Sequence, residues 1–131
     1  MNIQLLKNEE IIKNEKLLEF HCHNNTFVQQ NPKFCFYNSS KDSESIVFHL
    51  FNESGTVAYA NLSHFNNGKV NILTNTPTSS SHSSFSINKK NKYSDKEVIK
   101  RLYFEIQSYC SRQKIELFSF ASNPLDENIV N

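Results

Sequence analysis

The chain has 131 residues, enough for one hydrophobic core. Its 14 Lys and Arg nearly balance 13 Asp and Glu, which excludes the basic surface that a nucleic-acid or acidic-membrane partner needs. Three cysteines, no membrane-length apolar run and no signal-peptide core point to a single soluble domain in a reducing, cytoplasmic setting, without a disulfide framework.

Met1 to Leu6 reads as a short strand with Ile3 and Leu5 on one side. Asn8-Glu9-Glu10 is acidic where a helix macrodipole favours it, and the apolar spacing that follows predicts one amphipathic helix from Glu9 to His21. His21-Cys22-His23, with Cys35 further on, offers zinc-ligand types. The spacing does not complete a four-ligand set, so a helix end with favourable histidines is the better reading and no metal is expected. In the next segment Asn31 can cap a helix whose first position Pro32 takes, while Phe27, Phe34, Phe36 and Tyr37 would anchor on a sheet. Asn38 to Ser45 reads as a loop.

Residues 46 to 74 organise the rest. Ile46–Phe51, Thr56–Phe65 and Val70–Thr74 read as three antiparallel strands. Asn67-Gly68 predicts a type I′ turn, with φ > 0 at both residues. Both glycines of the chain, Gly55 and Gly68, fall in the two turns. That register sets Leu50 against Val57, Phe48 against Tyr59, Phe65 against Val70 and Ser63 against Ile72. One face then carries Ile46, Phe48, Leu50, Val57, Tyr59, Phe65, Val70 and Ile72 as a core. The other carries Val47, His49, Phe51, Ala58, Ala60, Leu62, His64 and Leu73, and reads as half covered.

Residues 75 to 93 read as a mobile loop containing the serine tract 79–84. Ser94-Asp95-Lys96-Glu97 is a capping box, and Val98, Leu102, Ile106 and Tyr109 recur at helical spacing, predicting a helix over 95–113. Cys110 falls on that stripe as a small hydrophobe. Ile115 to Phe120 reads as a strand, and the tail 124–131 as frayed.

The stretch from Thr26 to Phe34, the Gly55-Thr56-Val57-Ala58-Tyr59-Ala60 strand entry, and the Ser94 helix followed by Lys114-Ile115-Glu116-Leu117 together resemble a known family. They are similar to the first half of a Fem-type (FemAB-like) acyltransferase lobe, over about residues 10 to 123. The resemblance implies a GNAT-like α+β half lobe: a three-strand meander and further strands packed with two main helices. It also implies transfer of an acyl or aminoacyl group to an amine, with acyl-CoA or an aminoacyl compound as donor. The side chains it offers are Gln29 for substrate binding and His49, His64 and Tyr59 for catalysis. For His49 and His64 a hydrogen-bonded structural role is the stronger expectation. The chain ends before a GNAT lobe would, and neither glycine precedes a helix as a pyrophosphate loop usually requires. The expectation is an incomplete lobe that is not catalytic alone. Its alternative is a non-enzymatic interaction module that pairs through its sheet with a second copy or a second half lobe.

Overall fold

The computed structural model describes residues 1–24, 31–33, 41–74 and 85–119. Gln29, Cys35, the aromatic residues from Phe27 to Tyr37, the serine tract and the tail lie outside them. Strand β1 (Asn2–Lys7) leads into helices α1 (Glu9–Lys13) and α2 (Glu15–Asn24). The long strands β2 (Ser43–Asn52) and β3 (Gly55–Asn66) follow, then the short β4 (Asn71–Thr74) and β5 (Ser86–Ile87), helix α3 (Asp95–Gln113) and β6 (Leu117–Ser119). The strands form one mixed sheet in the order β1-β2-β3-β4-β6, with β5 also paired to β3. All pairings are antiparallel except β4 with β6, which run parallel. A parallel pair needs a crossover connection, and α3 lies within it.

The expected helix over Glu9–His21 is two helices. Asn14 takes an extended backbone conformation, and its side-chain Oδ1 accepts the N–H of Leu17. An Asn that caps the following turn competes with helix continuation, so α2 starts afresh at Glu15. Asn8 spends its side chain on β2, accepting the Ser45 N–H at 3.0 Å, and holds φ at 48°.

Helices cover both faces of the sheet. Against α3, whose inward residues are Val98, Leu102, Ile106 and Tyr109, pack Ile46, Phe48, Leu50, Ala58, Ala60, Leu62, Leu73 and Phe85. Against α1 and α2, represented by Ile11, Leu17 and Phe20, pack Leu6, Val47 and Tyr59. The predicted faces therefore need correction. Near the β2–β3 turn, Phe51 opposes Thr56 as expected, but a register shift between Leu50 and Phe51 sets Leu50 against Ala58 and Phe48 against Ala60. One inserted residue turns every later side chain of β3 to the opposite face. Tyr59 thus leaves the expected core face, and Ala58, Ala60 and Leu62 join it.

The second turn also differs from expectation. Asn66 pairs with Asn71, so four residues bridge the strands, and only Gly68 has positive φ, at 87°. Asn67 is not left-handed; its Oδ1 accepts the N–H groups of Lys69 and Val70. The pairs become Phe65 with Ile72 and Ser63 with Thr74, a shift of two residues that preserves the facing. The predicted 75–93 loop is interrupted by β5. Of the predicted strand Ile115–Phe120, Leu117–Ser119 form β6, and Phe120 lies outside the described residues.

Helix α3 agrees with its forecast at both ends. Ser94 Oγ accepts the Glu97 N–H. At the other end Lys114 adopts the left-handed conformation, and Ile115 N–H bonds the Cys110 carbonyl. No helix among the described residues is long and apolar enough to cross a membrane.

Candidate functional site

Strands β4 and β5 share one edge of β3. Thr74 pairs with Ser63 and Ser86 with Tyr59, so residues 60–62 of β3 separate the two pairings, and the chain between Thr74 and Ser86 is far longer than that gap requires. Among the described residues the edge is interrupted there. Cross-strand partners share a face, so Tyr59, Asn61, Ser63, Thr74 and Ser86 all project towards α1 and α2, with Ser45 opposite Ser63. All six are buried. Burying this many polar groups in a small core is costly unless each finds a partner.

The Tyr59 hydroxyl lies at the centre of this cluster. It is 3.1 Å from His21 Nδ1, and its ring takes the edge of Phe20 at a centroid distance of 6.1 Å. Burial pushes the Tyr59 phenol well above its ordinary value, while nearby Ser86 pulls it part of the way back. Burial also lowers the His21 pKa. The pair is therefore a neutral imidazole on a neutral phenol, an arrangement able to accept and pass a proton. Asn61 reaches outward, donating to the Asn31 carbonyl at 2.7 Å, and so ties the 31–33 turn over the sheet. In that turn Asn31 Oδ1 accepts the Lys33 N–H, as a capping Asn would, and Pro32 is buried.

The other two predicted catalytic side chains are built into the scaffold. His49 lies on the α1–α2 face, further along the sheet. Its Nδ1 accepts from Gln4 Nε2 and its Nε2 donates to Thr56 Oγ1, both at 2.9 Å. Burial, helped by the positive charge of Lys16, lowers its pKa to about 4. His64 projects from the opposite face. Asn71 Nδ2 donates to the carbonyls of Gln113 and Lys114, which leaves Asn71 Oδ1 as an acceptor for His64 Nε2–H at 2.6 Å. The remaining His64 nitrogen, Nδ1, accepts from the Tyr109 hydroxyl at 2.8 Å. This chain locks the C-terminus of α3 onto β3 and β4.

The two histidines were expected on one face; the register shift in β2–β3 separates them. His21 was expected only as a helix-end charge. The signal that finds it is the Leu17, Phe20, His21 spacing, which places it on the buried stripe of α2. Among the described residues no three His, Cys, Asp or Glu side chains converge as a metal ion would require.

No protein-family model matches the chain, and no curated protein matches it. Among solved structures, the ribosomal-protein-alanine N-acetyltransferase from Brucella melitensis biovar Abortus 2308 superposes with a TM-score of 0.62 at 7% identity. The fold is GNAT-like. The likeness covers 98% of this chain and 84% of that one, so it extends well beyond half of that acetyltransferase. At this identity it concerns the arrangement of elements, not the side chains.

Proposed function

We propose that this chain is an acyltransferase-related domain with a Fem-type ancestry, an incomplete lobe that is not catalytic by itself. It works in the cytosol with a second copy or a partner lobe, on a primary amine as acceptor. Its GNAT-like sheet, in which β4 and β6 run parallel around α3, is the observation that carries the acyltransferase part. The lack of independent catalysis is supported by the hydrogen bonds of His49 and His64, which spend both nitrogens of each ring on the scaffold. The His21–Tyr59 pair is a group suited to proton transfer. The test is an acyl-transfer assay on the purified chain, with acetyl-CoA and with an activated aminoacyl ester, against a panel of primary amines. The reading predicts no turnover above the protein-free rate. Turnover abolished by His21→Ala would overturn the non-catalytic part and place the base.

A second reading, that the chain is an interaction module pairing through its sheet, draws on one observation. Leu117 on the outer strand β6 is 57% exposed, and Val70 at the adjoining turn is 42% exposed. Light scattering after size exclusion tests it: a dimer that Leu117→Lys dissociates supports it, and a monomer at all concentrations removes it.

A further inference from the structure

A GNAT-like fold implies an acyl-CoA donor, whose pyrophosphate would need backbone N–H groups turned outward at a helix N-terminus. In this chain the segment that would provide them is the turn from Asn88 to Ser94 and the first turn of α3. Several of its N–H groups are already bonded within the chain. Asn88 anchors the turn to β3, donating its own N–H to the Val57 carbonyl and its Nδ2 to the Thr56 carbonyl. Its Oδ1 then accepts the Lys90 N–H at 3.0 Å, and its carbonyl accepts the N–H of Asn91. Asn91 Oδ1 in turn accepts the Tyr93 N–H at 2.6 Å. Within α3, Ser94 accepts the Glu97 N–H on its hydroxyl and the Val98 N–H on its carbonyl.

Charge and shape point the same way. Asp95 and Glu97 already occupy the first turn of α3, where they answer the positive end of the helix and would repel a diphosphate. Lys89 is held by Asp95. Lys92 lies over the Tyr93 ring, its ammonium 5.4 Å from the centroid. Lys90 and Lys92 both border a polar cleft shared with Asn52, Glu53 and Ser54 of the β2–β3 turn. No glycine lies between Asn88 and Ser94 to let a phosphate approach the backbone closely.

We infer that this chain does not hold coenzyme A: the turn opening α3 is closed by its own asparagine and serine side chains, and any acyl group it handles comes from a donor without a pyrophosphate. The inference sharpens the acyltransferase reading above and rests on it for the word donor.

Two measurements on the full chain test it. Titration calorimetry with CoA and with acetyl-CoA, carried to about 1 mM, is expected to show no saturable heat. Saturable binding of either would overturn the inference. Amide hydrogen exchange is expected to show the N–H groups of Lys90, Tyr93 and Glu97 slowed by roughly tenfold or more against an unstructured chain. Exchange at the unstructured rate would mean that the cradle is open and would equally overturn it. Transfer from acetyl-CoA would sink this inference while upholding the acyltransferase reading. If CoA does not bind and an activated aminoacyl ester is not consumed even with the partner lobe present, the inference stands and the acyltransferase reading falls.

Discussion

The two faces of the sheet are both buried, yet they are made of different material. Towards α3 the sheet presents Ile46, Phe48, Leu50, Ala58, Ala60, Leu62 and Leu73, an almost unbroken apolar surface. Towards α1 and α2 it presents Leu6 and Val47 beside Ser45, His49, Tyr59, Asn61, Ser63, Thr74 and Ser86. The first face gains free energy from burial alone. The second must satisfy its polar groups one by one, as the His21–Tyr59 bond does for the phenol. The contrast separates the part of the molecule that sets stability from the part that retains the makings of a site.

The largest effect should come from the apolar face. Leu102→Ala, at a fully buried position under the sheet, should cost about 2–5 kcal/mol in urea denaturation, through lost transfer energy and a cavity. If Ser63→Ala on the other face cost as much, the division of labour would be wrong.

Next in size is a pH dependence carried by His49. Its folded pKa of about 4 lies below that of an unfolded histidine, so between roughly pH 6.5 and 4 the unfolded chain binds more protons. Stability should be full above that window and fall as pH drops through it, by up to roughly 3 kcal/mol. His21, lowered in the same direction, adds to the same trend. Denaturation midpoints measured across the window check this, and His49→Gln should flatten the curve.

Tyr59→Phe, which removes the hydroxyl from His21 while keeping the ring against Phe20, should cost about 1 kcal/mol in a thermal melt. Ser94→Ala, removing the cap of α3, should cost about 1 kcal/mol, and Ser94→Asp should restore most of it. A neutral Ser94→Ala would mean that the turn before α3 is not held as described.

Much of the scaffold was legible in the residues. The apolar run from Ile46 and the two glycine-bearing turns marked the strands, and Ser94 with Glu97 marked the start of α3, because these signals are local. The site was not legible, for reasons that are also local. The register shift at Leu50 and Phe51 carries no glycine or proline to mark it, yet it decides which face Tyr59 and His64 occupy. Asn14 fits the polar side of a continuous helix, and only its cap on Leu17 shows the break. Strand β5 is two residues long and takes its existence from β3, not from its own sequence. His21 was visible as a residue, but its partner Tyr59 had been assigned to the wrong side of the sheet.

The account stands on the claim that His49 and His64 hold the sheet together and are not free to act as bases. Long-range proton–nitrogen correlation spectra of the histidine rings test that claim most directly. The structure predicts that Nε2 carries the hydrogen in both rings, towards Thr56 in His49 and towards Asn71 in His64, with His49 still neutral at pH 5. Averaged tautomers in both rings, with His49 titrating at the value of a free imidazole, would contradict it.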